Sequence, residues 1–216
     1  LNVIYADSIV PYKQRKVKIL NGCHTAMVPV AYLYGIDTVK ESIENEHIGQ
    51  FTNEFVFDEV VPTIALPHDQ MVSFANSVFE RYLNPFVRHE LMSIALNSIS
   101  KYKARVLPTV KDYYKLNGTL PTHAMFSLAS LIKFYFGLRG SEEIKLNDTA
   151  SYIEFFNNLK KENLNELEIV KKVFAQEEMW GENLNNLANA TELVSSYLTL
   201  INEKGMKDAL ASFLAK

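Results

Sequence analysis

The segment from Pro121 to Gly137 limits the possible folds of this chain most strongly, because the string AMFSLASLIKFYFG is apolar on nearly every side of a helix. A helix without a polar face must be covered by other elements, which places it at the centre of a domain. The chain has 216 residues and 48% of them are hydrophobic, which is enough for one large core. We therefore predict one all-α, multi-helical domain around this segment.

Shorter amphipathic segments on both sides of the central one predict the helices that cover it, and proline, glycine and capping residues mark their ends. The predicted helices span about 16–34, 37–45, 47–61, 67–82, 86–97, 104–117, 121–137, 149–160, 165–177, 184–203 and 206–215. Residues 97–103 leave the helical pattern and predict a loop that presents Lys101, and residues 1–10 predict a short strand or connecting arm. The same patterns assign the helix caps Asp37 and Asp148, the core residue Phe86 and the surface residue His47.

Composition excludes several classes of partner. The net charge of -3 and pI of about 6.0 give no positive field over the surface, so nucleic acid is not an expected partner. No run reaches the roughly 18 apolar residues that a membrane-spanning helix needs. Cys23 is the only cysteine, which excludes an internal disulfide and favours a reducing, cytoplasmic setting, and we interpret it as a small core residue. The histidines show no ligand spacing, so no metal is expected.

A basic cluster, RKVK, leads into a second apolar segment that retains Asn21 and His24. In an α-helix that begins at Lys16, the advance of about 100° per residue places Lys16, Asn21 and His24 at about 0°, 140° and 80°. All three side chains then point into one arc, which can line a pocket. An ammonium, a carboxamide and an imidazole can there supply a proton, orient a carbonyl and stabilise a developing oxyanion.

The same residues also fit a purely structural role. Lys16 can be part of a solvated basic turn, Asn21 a cap at a helix start, and His24 a core histidine whose nitrogens are satisfied. The spacing K-x4-N-x2-H is loose, and on its own it leaves both interpretations open.

The surrounding sequence adds a resemblance. The string RKVKILNGCHTAMVPVAYLYGIDTVKESI resembles the polyol-specific long-chain dehydrogenases of the mannitol dehydrogenase family, and within them the tagaturonate reductase (altronate oxidoreductase) branch. The resemblance continues through FTNEFVFDEVVPTIALP, FERYLNPFVRHELMSIALNSISKYKARVLP and LPTHAMFSLASLIKFYFG. It covers roughly the first two-thirds of the chain and fades after Gly140.

The resemblance implies a multi-helical C-terminal domain of the mannitol dehydrogenase type, similar to that of 6-phosphogluconate dehydrogenase. It also makes K-x4-N-x2-H the catalytic signature, with Lys16 as general acid and base. Asn21 is then expected to orient the substrate oxygen, and His24 to donate a hydrogen bond to it. Lys16 is expected to be buried beside the like charges of Arg15 and Lys18, which would help it give up its proton.

A sugar-acid substrate also needs cations for its carboxylate. The stretch SKYKARVLP, which the resemblance associates with the active site, contains Lys101 and Arg105. Arginine suits a carboxylate because it can bind both oxygens. Arg88 and His89 are weaker candidates, and the alternative for Lys101 and Arg105 is a pair of surface cations.

Members of this family bind NAD in a Rossmann-type domain that precedes the catalytic signature, whereas these 216 residues contain no G-x-G-x-x-G turn. We therefore expect residues 1–14 to be an arm from a preceding nucleotide-binding domain and residues 15–216 to be the substrate-binding, catalytic domain. By themselves these residues should not oxidise NADH. A fructuronate or mannitol type of dehydrogenase domain, or a helical interaction domain without catalysis, remains an alternative.

Overall fold

The computed structural model of the protein describes residues 5–215, and nearly all of its regular structure is helical. Its α-helices are α1 Val10–Arg15, α2 Cys23–Tyr34, α3 Val39–Glu44, α4 Glu46–Glu54, α5 His68–Tyr82, α6 Leu91–Ile94, α7 Ser98–Arg105, α8 Leu107–Asn117, α9 Thr122–Tyr135, α10 Ala150–Leu159, α11 Glu166–Phe174, α12 Glu177–Trp180 and α13 Ala190–Leu214. Two π-helical segments are π1 Lys16–Gly22 and π2 Phe55–Val60, and short 3₁₀ turns are Val61–Thr63 and Leu184–Asn186. The strands β1 Leu138–Arg139 and β2 Glu142–Glu143 form one antiparallel hairpin. The all-α prediction is confirmed.

Helix α9 lies at the centre, as its sequence predicts. Eleven of its 14 residues are buried, and it packs mainly against α2 and α13. The hydroxyl of Ser127 donates to the carbonyl of Ala26 in α2 at 2.8 Å, so a buried polar side chain is satisfied across the helix pair. No helix among the described residues combines the length and apolar character needed to cross a bilayer.

The N-terminus of α9 is held by a carboxylate from another element. Glu59 of π2 is only 3% exposed, and its two oxygens accept from the backbone N–H groups of His123 at 2.7 Å and Ala124 at 2.9 Å. The His123 ring lies between two carboxylates, with Nδ1 3.1 Å from Glu59 and Nε2 2.9 Å from Glu54. These bonds satisfy helix-start donors that α9 cannot satisfy itself.

Helix α1, π1 and α2 follow one another without a break, and Pro29 lies inside α2. Gly35 ends this helical stretch, as predicted, with φ of 114°, a value that favours glycine. The helix begins at Val10, inside the predicted arm, and residues 5–9 are not a strand. The remaining part of the predicted strand, residues 1–4, lies outside the described residues.

Two stretches around α6 and α7 contradict the predicted boundaries. Residues 84–89 are not helical, and Phe86, assigned to the core, is 93% exposed, because Asn84 and Pro85 form a turn in which Asn84 accepts from the Phe86 N–H. The predicted loop that contains Lys101 is helix α7 instead. Its N-terminus is completed by Asp148, which accepts from the Ile99 N–H at 3.2 Å.

Several single positions also differ from the prediction. Thr38, not Asp37, caps α3 in a capping box, and Asp37 forms an ion pair with Arg139. Asp148 does not cap α10, because its carboxylate accepts from the Ile99 N–H and from the Tyr135 hydroxyl instead. His47 is half-buried rather than on the surface, and its Nδ1 is 3.1 Å from the Tyr34 hydroxyl.

Candidate active site

Lys16 and Asn21 both lie on the π-helical segment π1, which changes the geometry that an α-helix predicts for them. A π-helix bonds residues five apart, so side chains with that spacing lie about one turn apart. Lys16 and Asn21 have that spacing, so the angle between their side chains around the helix axis is smaller than the 140° that an α-helix gives. Single π-helical turns within α-helices occur often at functional sites.

The surroundings of Lys16 differ from the expectation. Its side chain is exposed, not buried, and forms no hydrogen bond or ion pair within residues 5–215. Lys18, expected to be a like-charged neighbour, is buried and paired with Asp112 at 2.7 Å, which links π1 to α8. Arg15 stacks on the Phe74 ring, with its guanidinium carbon 4.3 Å from the ring centroid.

His24 lies at the start of α2 between aromatic side chains. Its ring stacks on Tyr82, with centroids 4.3 Å apart and planes at 29°, and meets the His89 ring edge-on at 5.2 Å. Burial, followed by the charges of His89 and Arg105, lowers the pKa of His24 to about 3, so the ring is neutral at physiological pH. Its Nε2 is buried and has no partner in the described part of the chain. A buried nitrogen without a partner is uncommon in folded proteins, and a bound ligand is one group that would satisfy it.

Lys101 and Arg105 are four residues apart on α7 and therefore lie on one face of it. Burial and the charge of Arg105 lower the pKa of Lys101, although Asp148 acts in the opposite direction. The Lys101 ammonium donates to the Ile94 carbonyl at 2.8 Å, and Arg105 reaches the Thr25 hydroxyl at 3.5 Å. Neither cation forms an ion pair within residues 5–215.

Thr25 connects Arg105 to the signature. Its hydroxyl donates to the Asn21 carbonyl at 2.8 Å and lies next to the Arg105 guanidinium. The structure therefore brings Asn21, His24 and Arg105 together around the start of α2, with Lys101 one turn from Arg105.

Arg88 and His89, the weaker candidates, separate in the structure. Arg88 is exposed and pairs with Glu90, whereas the His89 ring contacts His24. Cys23 is fully buried, and burial raises the pKa of its thiol to about 12, consistent with a core residue and not with a nucleophile.

Gly22 allows π1 and the end of α7 to approach closely. A Cβ atom at this position would lie 3.1 Å from the Arg105 carbonyl oxygen and 3.4 Å from that of Val17, and both are backbone atoms that cannot rotate away. The position of Arg105 relative to Asn21 thus depends on the absence of a side chain at residue 22.

We expect Gly22→Val to lower the free energy of unfolding by about 1 to 3 kcal/mol, because the added atoms force two backbones apart. Gly22→Ala is expected to be nearly neutral, since a helix-propensity gain of about 1 kcal/mol offsets its smaller clash. Urea denaturation of the three proteins measures both effects. A valine variant as stable as the alanine variant would show that the approach is not tight.

The two cavities of about 420 and 550 Å³ lie away from these residues. The first is lined by residues of α2, α6, α9 and the β2 region, and the second by residues near Gly118 and Asn189. Within residues 5–215, no group of three or more His, Cys, Asp or Glu side chains is arranged to hold a metal ion. The candidate site residues thus line neither of these cavities.

The sequence analysis did not identify Tyr82 as part of this site, because it occupies an ordinary buried position of an amphipathic helix. Only the proximity of α5 to π1 places its ring against His24. A tyrosine among otherwise aliphatic core positions is the one signal in the sequence, since a buried hydroxyl requires a partner.

Comparisons with known proteins agree on the family. A family model described as the mannitol dehydrogenase C-terminal domain matches residues 8–201. The altronate oxidoreductases of Escherichia coli (strain K12) and Shigella flexneri are each 41% identical over 214 residues, which are 97% of this chain and 44% of each relative. The chain thus spans less than half the length of these curated relatives.

Two solved structures share the fold. Pseudomonas fluorescens mannitol 2-dehydrogenase, in a ternary complex with NAD and D-mannitol, has a TM-score of 0.88 at 20% identity, over 100% of this chain and 43% of that one. A substrate-free D-sorbitol dehydrogenase has a TM-score of 0.77 at 18% identity, over 95% of this chain and 41% of that one. The resemblance noted in the sequence is confirmed, but it does not fade after Gly140, since the family match reaches residue 201. The chain belongs to the mannitol dehydrogenase C-terminal domain family.

Proposed function

We propose that the chain is the substrate-binding and catalytic domain of an NAD-dependent tagaturonate reductase, which interconverts D-tagaturonate and D-altronate. The observation that carries this proposal is the cluster of Lys101, Arg105, His24 and His89, none of which forms an ion pair within residues 5–215. Burial lowers the pKa of His24 and of Lys101, and the charge of Arg105 lowers both further. Such a cluster suits an anionic substrate, because a carboxylate supplies the missing counter-charge. The 41% identity to altronate oxidoreductases supports the same substrate class.

The three signature residues have different tasks in this reaction. When bound, NADH supplies a hydride to the carbonyl carbon of the substrate. Lys16 gives a proton from Nζ to the carbonyl oxygen and takes it back in the reverse direction. Asn21 donates its amide hydrogens to the same oxygen and stabilises the charge that develops there. His24 is neutral and donates from its free Nε2 in the tautomer that carries the proton on that atom.

The described residues do not form a dinucleotide site by themselves. Their only strands, β1 and β2, form a hairpin, and neither leads through a glycine-rich turn into a helix. We therefore assign NAD to an N-terminal nucleotide-binding domain of the same polypeptide, with the boundary near residue 15. The exposed side chain of Lys16 supports this assignment, since a proton donor functions best when a second domain covers it and excludes water.

Assays of the full-length enzyme test this function directly. NADH oxidation is measured with D-tagaturonate, D-fructuronate and D-fructose, and kcat/KM is expected to be highest for tagaturonate. A preference for fructuronate would correct the substrate, and a preference for fructose would contradict the role of the cation cluster. Absence of turnover with all three would favour the non-catalytic interaction domain.

We expect Lys101→Met to raise the KM for tagaturonate by roughly 10-fold to 100-fold, because a charge-assisted contact contributes about 1.5 to 3 kcal/mol. The KM for fructose, which has no carboxylate, should change much less. Lys103→Met is the matched control, since Lys103 lies on the same helix, is exposed and reaches only the Glu178 carbonyl. Equal losses with both substrates would mean that Lys101 is structural.

A further inference from the structure

We propose that Tyr82 is a positioning residue that holds Asn21 and His24 in one fixed arrangement. The inference rests on the proposed function, because it concerns the geometry in which these two side chains meet the substrate. Tyr82 lies in the last turn of α5, 58 positions beyond His24 in the sequence, and is 6% exposed. Tyr82, which lies on a separate helix, thus contacts both the His24 ring and the backbone next to Asn21.

The hydroxyl of Tyr82 acts on the backbone of π1. It donates to the carbonyl of Leu20 at 2.8 Å, and Leu20 directly precedes Asn21. The same carbonyl also accepts from the Cys23 N–H at the end of π1. A π-helical turn is rare and is maintained by tertiary contacts rather than by backbone preference. The hydroxyl of Tyr82 supplies such a contact at the residue next to Asn21.

The ring of Tyr82 acts on the ring of His24. The two rings are stacked with centroids 4.3 Å apart, and the edge-on contact of His89 at 5.2 Å further confines the imidazole. Tyr82 is itself supported by Phe79 at 6.0 Å, and Phe79 is stacked on Phe57. This row of aromatic side chains fixes the plane in which His24 lies, and with it the direction of Nε2.

Tyr82 is not placed to transfer a proton itself. Its hydroxyl hydrogen is committed to a backbone carbonyl. Burial, and then the neighbouring Cys23, keep the pKa of Tyr82 well above its ordinary value of 10.0. A hydroxyl that is buried and already bonded to the backbone has no proton to offer a substrate. Its contribution to the reaction is therefore geometric.

The test uses the full-length enzyme with Tyr82→Phe and Tyr82→Leu. Tyr82→Phe keeps the stack and loses one hydrogen bond, so kcat should fall by about fivefold. Tyr82→Leu also releases the His24 ring, and kcat should fall by about 10²-fold, the usual cost of a misplaced catalytic group. Tyr152→Phe is the matched control, because Tyr152 is also buried and donates to a backbone carbonyl, that of Glu178 at 3.3 Å, in a different region. It should keep the wild-type kcat.

A second readout does not depend on activity. In ¹³C-histidine-labelled enzyme, the His24 signal is assigned by its loss in His24→Gln and is followed by NMR as the pH is changed. The wild-type ring should remain neutral through about pH 5, whereas in Tyr82→Leu water enters beside it and it should titrate nearer the ordinary value of about 6.5. A residue that only stabilised the fold would lower the melting temperature and leave this titration unchanged.

The outcomes separate this inference from the proposed function. A wild-type enzyme without activity on any hexuronate would refute the function, whatever the NMR result. An active wild type, combined with a Tyr82→Leu variant that keeps both kcat and the His24 titration, would refute the positioning role. If Tyr82→Leu does not fold, Tyr82→Phe decides, and a kcat equal to that of Tyr152→Phe would overturn the inference.

Discussion

Replacing Lys16 by Ala in the full-length enzyme is expected to lower kcat by about 10² to 10⁴-fold, the usual contribution of a general acid. The affinity for NADH should stay nearly unchanged, because the Lys16 side chain is exposed and forms no hydrogen bond or ion pair within residues 5–215. Removing a group that acts only in the transition state lowers kcat and kcat/KM together. Chemistry should then limit turnover, and a deuterated hydride donor should show a larger isotope effect than in the wild type.

Two further variants separate proton transfer from charge. Lys16→Arg should be almost as inactive as Lys16→Ala, because a guanidinium does not release its proton at neutral pH. Lys13→Ala is the matched control, since Lys13 is also exposed, one turn earlier in α1. If Lys16→Arg retained most of the activity, Lys16 would supply only charge, and the proton would have to come from His24 or from water.

Replacing Glu59 by Ala is expected to lower the free energy of unfolding of the 216-residue chain by about 3 to 5 kcal/mol, as when one partner of a buried charged pair is removed. The change leaves the backbone N–H groups of His123 and Ala124 without their acceptor. Urea denaturation followed by the fluorescence of Trp180, the only tryptophan in the chain, measures the loss. Such a loss would show that the start of α9 depends on a carboxylate from another helix.

Glu54→Ala is the control, because Glu54 is about one-third exposed and bonds only to the Nε2 of His123 and to the exposed Gln50 side chain. Its cost should not exceed about 1 kcal/mol. Burial alone would lower the pKa of His123, but the bonds and charges of Glu59 and Glu54 outweigh it and raise the pKa. The protonated ring therefore adds stability that is complete below about pH 6.5 and is lost as the pH rises through the folded-state pKa. A wild-type stability that rose over this range would contradict the assignment.

Much of the helical framework could be predicted from the sequence. The string of α9 is apolar on nearly every side and must therefore be covered by other elements, and the structure places it at the centre. Gly35 was also predictable, since a helix commonly ends at a left-handed glycine. Both features follow from the local sequence pattern and need no contribution from distant residues.

The differences arise where a distant residue decides the outcome. Asp148 completes the start of α7, which the sequence of 97–103 does not indicate. Glu59 follows an aspartate near the end of the predicted helix 47–61 and resembles a surface charge, yet it is buried because α9 offers it two N–H donors. Phe86 fits a helical stripe, but the turn at Asn84 and Pro85 turns it outward.

The candidate site, too, could be predicted from the sequence only in part. The residue types of the signature and of the stretch SKYKARVLP could be named in advance, and the structure places Arg105 close enough to His24 for its charge to lower the pKa of that histidine. The π-helical form of π1 could not be predicted, because it depends on contacts from Tyr82 and from the end of α7. The catalytic roles of these residues stay predictions until the variants are measured.

The π-helical turn also determines how this stretch would respond to the deletion of a single codon. Single π-helical turns occur within α-helices, and π1 is continuous with α1 and α2, so it accommodates an additional residue in an otherwise α-helical stretch. Loss of one codon between those of Lys16 and Asn21 would allow the stretch to return to the common α-helical form. Lys16 and Asn21 would then be four residues apart, which in an α-helix again places the two side chains about one turn apart on one face. A lineage could in this way gain or lose the π-helical turn through one in-frame codon while keeping the face that Lys16 and Asn21 share.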